Sequence, residues 1–345
     1  MAYRAYCFVV PTAAGTEDYL YGEDGPVMCG WDTGTITDET GLPSKVRQAI
    51  ADNTGMNDDM KTRLKRLLMA IEKSVEEDLK FSQGNCPDIR IFVAPEFYFR
   101  PPKSPTEACG EYTNAQFIAL SNFLEDYFVR FKYYHDDERS ISNWLFLCGT
   151  CVYNLGSDVP GLRLLFNSML AYAVDTTGTA IAQPFRKLCT SHIDGIDDKE
   201  DINWEQQNQL CYYNVSEITA HYFPSFHVFV EICLETSLGL WKNEWQGGAV
   251  EAHVISAAGM PMDDITNKDG STAVRIRNDG MLDEIRNMTS FMLEGSRKTV
   301  ASTEITGVNY QWSSDDLENK VAQKGLEVKK EYLLRYISPS LFVNR

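Results

Sequence analysis

Apolar positions fall into short runs and helical stripes that alternate along the chain. The first run, Arg4 to Val10, is rich in strand formers and is followed by Pro11 and Gly15, which predicts an opening strand. Residues 11 to 43 carry many Gly, Pro, Thr and Asp and read as a long loop. From Ser44 to Leu79 the spacing is helical in two pieces, broken at Asn53-Thr54-Gly55, and Leu64, Leu67, Leu68 and Ile71 mark the buried face of the second. Ile89 to Ala94 is a strand that stops at Pro95-Glu96, and residues 101 to 110 form another loop. Asn114 to Tyr133 repeats apolar residues at helical intervals: Phe117, Leu120, Phe123, Leu124, Tyr127 and Phe128. Trp144 to Val152 and Leu164 to Val174 are strands, and Asp175-Thr176-Thr177-Gly178 is a hairpin turn into Ala180 to Lys187. Beyond a polar insertion, His227 to Cys233 and Ala249 to Ala257 read as further strands.

Early alternation of strand and helix, with a hairpin in the middle, predicts a sheet-centred α/β domain with helices outside. No internal repeat, low-complexity tract or linker divides the 345 residues, so a single domain is expected. With 43% hydrophobic and 23% charged residues, the composition is that of an ordinary globular protein. A net charge of −17 argues against a nucleic-acid partner, because binding a phosphate backbone needs clustered Lys and Arg. No apolar run approaches the roughly 20 residues needed to cross a bilayer, and the N-terminus MAYRAYCFVV lacks the features of a signal peptide. Nine irregularly spaced cysteines do not resemble a disulfide framework, so a reducing cytoplasm with free thiols is expected.

Three residues stand out at the C-terminal ends of predicted strands, where α/β sheets present their ligand sites. Cys233 precedes a Gly-containing turn, where a thiol can be aimed into a pocket if a base or cation favours the thiolate. Glu96 follows Pro95 and sits among Phe97, Tyr98 and Phe99, a setting that makes ionisation costly and suits general-base work. Lys187 closes Ile181-Ala-Gln-Pro-Phe-Arg-Lys. Taken singly, each has a plainer reading: a core cysteine, a loop carboxylate, a solvated lysine.

As an ordered set they resemble a known family. Val93-Ala94-Pro95-Glu96, then Phe166-Asn167-Ser168 with Asp175-Thr176-Thr177-Gly178 and Arg186-Lys187, then Glu231-Ile232-Cys233-Leu234-Glu235, resembles the nitrilase (carbon–nitrogen hydrolase) superfamily. The resemblance covers roughly residues 3 to 260, weakening toward 310. It implies a four-layer α–β–β–α sandwich over residues 1–310 and a C-terminal extension, 311–345, that packs on the body or on a partner subunit. It also implies homo-oligomers built through an outer helical layer. The implied roles are Glu96 as general base, Lys187 as stabiliser of the tetrahedral intermediate and Cys233 as nucleophile. The implied substrate is a small amide or nitrile, and neither metal nor organic cofactor is required. An acyl transferase using the same thioester, or a non-catalytic binding protein on this fold, are the alternatives.

The chain departs from the family pattern around the nucleophile. Glu235 stands where Asp is frequent, Ser237-Leu238-Gly239 replaces a common Arg followed by Pro-Glu, and Glu231 occupies a usually apolar position. Strand alternation would put Glu231, Cys233 and Glu235 on one face, with the extra carboxylate turned to the nucleophile, a subunit contact or solvent. Family members often carry a second glutamate between the lysine and the cysteine. Among Asp194, Asp197, Asp198, Glu200, Asp201 and Glu205, the preferred candidate is Glu205, next to Trp204 and beyond the most charged stretch.

Other signals are weaker. Cys148-Gly-Thr-Cys151 has the spacing of a redox or zinc half-site but no second pair. His221 and His227 are not at helical spacing, and a Cys–His dyad of Cys233 with His192 or His253 is a minor alternative. The basic-aromatic segment Lys329 to Tyr336 is expected to be a C-terminal helix packed on the body or on a second subunit.

Overall fold

A computed structural model describes residues 3–8, 12, 41–81, 89–101, 110–135, 139–156, 165–182, 184–187, 228–233, 235, 252–258, 274–280, 291–294, 301–305 and 334–338. Four helices are described: α1 (Ser44–Asp52), α2 (Asp58–Phe81), α3 (Asn114–Val129) and the single turn α4 (Phe131–Tyr134). The strands are β1 (Tyr3–Phe8), β2 (Ile89–Val93), β3 (Tyr112–Thr113), β4 (Trp144–Asn154), β5 (Leu165–Val174), β6 (Ala180–Ala182) and β7 (Phe185–Arg186). They continue with β8 (Val228–Ile232), β9 (Ala252–Ala257), β10 (Val274–Asp279), β11 (Phe291–Glu294), β12 (Ala301–Ile305) and β13 (Leu334–Ser338).

Among the described residues the larger sheet has nine strands in the order β12-β13-β1-β2-β4-β5-β6, with β3 added to β4 and β7 to β5. β1, β2 and β4 run parallel, so their C-terminal ends share one edge of the sheet. β5 returns antiparallel, and β7 pairs antiparallel with it, so the end of β7 points to that same edge. The smaller sheet, β11-β10-β9-β8, is parallel across β8, β9 and β10.

Two apolar cores explain the layering. Leu64, Leu67, Leu68 and Ile71 of α2 pack with Leu120, Leu124, Tyr127 and Phe128 of α3 against Phe92, Phe146 and Tyr172 on one face of the larger sheet. On the other face, Ile91, Val93, Leu145, Leu147, Met169 and Ala171 pack with Val228, Val230, Ile232, Ala252 and Val254 of the smaller sheet. The architecture is mixed α/β: a helical layer, a sheet and a second sheet face to face. Among the described residues no helix covers the far side of the second sheet, and none is long and apolar enough to cross a membrane.

Local chemistry sets most of the boundaries. Thr113 and Gln116 form a capping box at the start of α3: Thr113 Oγ1 accepts from the Gln116 N–H (3.2 Å) and Gln116 Oε1 from the Thr113 N–H (2.8 Å). The helix expected over Asn114–Tyr133 divides at Arg130, whose N–H still donates to the Asp126 carbonyl while its own carbonyl opens the next turn. In the hairpin, the Asp175 carboxylate accepts from the N–H groups of Thr177 and Thr179, and Gly178 adopts φ 84°. The strand expected over Ala180–Lys187 is split into β6 and β7 around Pro184, which has no N–H to give to a ladder.

Two expectations are corrected. The C-terminal segment expected to be a helix supplies β13, antiparallel to β1 with Ala5 opposite Ile337 and Cys7 opposite Arg335. β10 and β12 go beyond the expected strands because Val274-Arg-Ile-Arg-Asn-Asp and Ala301-Ser-Thr-Glu-Ile are too polar to stand out as apolar runs, and β11 is a run of only four residues.

Candidate active site

Glu96 lies three residues past β2, in a turn held against β4. β4 carries a bulge between Leu147 and Thr150, and within it Gly149 adopts φ 81°. A Cβ there would stand 2.7 Å from Tyr98 Cβ and 2.8 Å from the Pro95 carbonyl, so only glycine lets the Pro95–Tyr98 turn lie so close. Phe97 adopts φ 59°, and its N–H donates to Thr150 Oγ1 (2.8 Å); the Phe99 N–H donates to the Thr150 carbonyl (2.9 Å). Thr12 Oγ1 donates to the Glu96 carbonyl, and the Thr12 N–H donates to the Gly280 carbonyl (2.8 Å) at the end of β10. The turn is therefore fastened from three sides, and the Glu96 side chain is fully buried.

Lys187 directly follows β7, and its N–H donates to the Asn167 carbonyl (2.8 Å). Its buried ammonium donates to Glu96 Oε1 at 2.8 Å. Asn167 Nδ2, from β5, donates to the same oxygen at 2.9 Å. The ammonium also stands 5.7 Å from the Phe97 ring centre, and the Arg100 guanidinium is 4.8 Å from it.

Cys233 directly follows β8 with φ 49°, a left-handed conformation that a non-glycine residue seldom adopts. Its N–H donates to the Ser256 carbonyl of β9 (3.0 Å), and Glu235 Oε2 accepts the Ile232 N–H (2.8 Å) on the same turn. The thiol's hydrogen bond goes to the Ala258 carbonyl (3.9 Å), and the charges of Glu96 and Lys187 both act on it. Burial, and then the Glu96 charge, push the thiol well above its ordinary value, while the Lys187 ammonium draws it down. The structure thus pairs Glu96 with Lys187 and places Cys233, on the other sheet, where both charges act on its thiol.

Glu231, His253, Cys148 and Cys151, also singled out in the sequence, fall elsewhere among the described residues. Ser256 Oγ donates to the Ala94 carbonyl of the larger sheet, so the even-numbered positions of β9 face that sheet and His253 faces away from it. Glu231, in register with Ile255, lies on that far face and pairs with His253 (Oε2 to Nε2, 2.8 Å). Glu231 therefore does not share a face with Cys233: the left-handed turn at Cys233 breaks the alternation. His253, held by Glu231 on that face, is no dyad partner for Cys233. Cys148 and Cys151 are buried in the helix-side core, where burial pushes both thiols well above their usual range. Glu205 and His192 lie outside the described residues. The contacts of Thr12, Gly149 and Ser256 have no sequence signature, since each is a hydrogen bond or close approach between elements distant in the chain. Asn167 stands in the motif, but nothing in the motif announces its bond to Glu96.

No family model and no curated protein matches this chain. Among solved structures it is similar to a mutant of the amidase from Nesterenkonia sp. in complex with acrylamide: identity is 9%, the TM-score is 0.38, and 100% of this chain and 94% of that one are covered. It is likewise similar to a carbon–nitrogen hydrolase from Helicobacter pylori, at 10% identity and TM-score 0.35 over 100% of this chain and 96% of that one. At this distance the likeness carries no argument about what the chain does.

Proposed function

We propose that the chain is a hydrolase of a small molecule's amide or nitrile carbon–nitrogen bond, working through a thioester on Cys233. The observation that carries this reading is the convergence of a thiol, a carboxylate and an ammonium, all buried, at adjoining strand ends. The ordered sequence resemblance to the carbon–nitrogen hydrolases supports it independently of the geometry.

The chemistry balances with these groups for an amide. Cys233 Sγ attacks the carbonyl carbon as its proton passes to Glu96, the nearby carboxylate. Negative charge gathers on the former carbonyl oxygen, where the Lys187 ammonium stabilises it. Glu96 returns the proton to the nitrogen, the C–N bond breaks, and ammonia or an amine leaves. Water then attacks the thioester, giving a proton to Glu96. The acid departs, and the proton returns to sulfur. A thiol held neutral at rest by burial fits this scheme, because attack and proton transfer then occur together. Asn167 and Lys187, both on Glu96 Oε1, fix the orientation of the carboxylate for both half-reactions.

Intact-mass analysis of the protein with a panel of amides and nitriles tests the proposal. An acyl adduct located at Cys233, with ammonia or amine released, is the expected result. Transfer of that acyl group to an added amine in preference to water would make the enzyme an acyl transferase. Turnover that persists in Cys233→Ala would end the reading.

A further inference from the structure

Glu96 and Cys233 belong to different sheets, and what lies between those sheets is largely apolar. Apolar contact is non-directional, so it holds two sheets together without setting their register to a fraction of an ångström. Fixed-length bonds must do that, and among the described residues side chains of the smaller sheet supply them at the site edge. Asn278 Nδ2 donates to the carbonyls of Phe8 (3.0 Å) and Val93 (2.8 Å), tying β10 to the ends of β1 and β2. Ser256 does something more particular.

The Ser256 carbonyl accepts the N–H of Cys233 at 3.0 Å, and its hydroxyl donates to the Ala94 carbonyl at 3.0 Å. Ala94 is itself fixed to β4, its N–H donating to the Leu147 carbonyl (2.8 Å), and rigid Pro95 alone separates it from Glu96. One fully buried residue therefore grips the nucleophile's backbone with its own backbone and the base's strand with its side chain.

We infer that Ser256 is a positioning residue that sets the distance between Cys233 and Glu96 across the two sheets. This inference rests on the proposed pairing of thiol and base. Its hydroxyl touches no reacting atom. Its effect is to keep proton transfer from sulfur to carboxylate within reach, and misplacement by about 1 Å in such an arrangement can cost roughly a hundredfold.

The rate at which iodoacetamide alkylates Cys233, followed across pH by peptide mapping, tests this without any knowledge of the substrate. Wild type, Ser256→Ala, Ser256→Thr and Glu96→Gln are compared, with thermal unfolding recorded for each. Ser256→Ala should slow alkylation near neutral pH by about tenfold or more and move the pH profile toward that of Glu96→Gln. Ser256→Thr, which keeps the hydroxyl, should move it back toward wild type. A merely structural serine would change the melting temperature and leave the pH profile alone. The inference is overturned if Ser256→Ala alkylates with the wild-type profile, or if a well-folded Ser256→Thr behaves like the alanine variant. Should Ser256→Ala not fold, Ser256→Cys, of similar volume and weaker donor strength, takes its place under the same criteria. A wild-type profile in Glu96→Gln is a different failure: it would remove the thiol–carboxylate pairing, and with it the proposed function.

Discussion

The larger sheet carries a buried carboxylate cluster at each end of its parallel strands, and the two differ in what their partners can do. At the amino ends of β1 and β2, Asp78 of α2 accepts from Arg4 Nη1 (2.6 Å), Arg90 Nε (3.0 Å) and Tyr6 OH (2.9 Å). At the carboxyl ends, Glu96 accepts from Lys187 and Asn167, and its charge acts on the Cys233 thiol. Both clusters are buried, and both set cations against a carboxylate. Guanidinium groups, however, do not surrender their protons in proteins, and burial followed by the Asp78 charge drives the Tyr6 phenol far above its ordinary range. Among the described residues, Arg4, Arg90 and Tyr6 bring the Asp78 cluster no readily exchanged proton and no nucleophile. The Glu96 cluster has a thiol, a lysine on a flexible stem and a strained backbone at the nucleophile. Burial and charge alone do not make a site; partners able to form a bond or move a proton do.

That contrast can be broken from either end. The largest effect expected is complete loss of amide or nitrile turnover in Cys233→Ala, with circular dichroism and melting close to wild type. At the other end, Asp78→Ala leaves two buried guanidinium groups without their carboxylate and should cost about 3–5 kcal/mol of stability in urea unfolding. Its turnover at low temperature, once folded, should stay near wild type. Next in size, Lys187→Gln and Glu96→Gln should each lose about 3 kcal/mol of transition-state stabilisation, roughly 10²–10³ in kcat/KM. Either variant keeping most of its rate would put that residue in the same class as Asp78.

The two clusters also differ in how far sequence reveals them. Elements with strong periodicity are legible: the break between α1 and α2, the buried stripe of α2, β2, β4, β5 with its hairpin, β8 and β9. Glu96, Lys187 and Cys233 stand out because each follows such a strand and because their order resembles that of a family. The Asp78 cluster does not, since Arg4, Asp78 and Arg90 look like ordinary charges on a strand or helix until folding brings them together. The same holds for Ser256 and Thr12 within the site. Polar strands such as β10 carry no apolar signature, and β13 reads as a helix in sequence because partners supplied by β1 and β12 decide its conformation. The turn at Cys233 is illegible for another reason: its φ belongs to a residue type that gives no warning of it.

A third cluster on the helix side sharpens the contrast, with the smallest expected effect. Glu72 of α2 accepts from Tyr127 OH (2.6 Å) and Arg139 Nη1 (3.3 Å), and its Oε1 lies 2.7 Å from His135 Nε2 just beyond α4. The other ring nitrogen, Nδ1, lies 2.7 Å from the Phe131 carbonyl, which can only accept, so the protonated ring can donate at both nitrogens. Burial works to lower the His135 value, but the Glu72 bond and charge outweigh it and hold the value above normal. A folded value above the unfolded one means the folded protein binds this proton more tightly. The resulting stability is fully present below the ordinary histidine value of about 6.5 and is lost as pH rises through the raised folded value. Melting temperatures of wild type and His135→Gln should therefore differ most in mild acid and converge as pH rises past neutrality. A gap that stays constant with pH would mean that His135 contributes packing and no charge. The pH dependence of Cys233 alkylation should be the same in both proteins, because this cluster fastens α2, α3 and α4 to one another and lies across the sheet from the thiol.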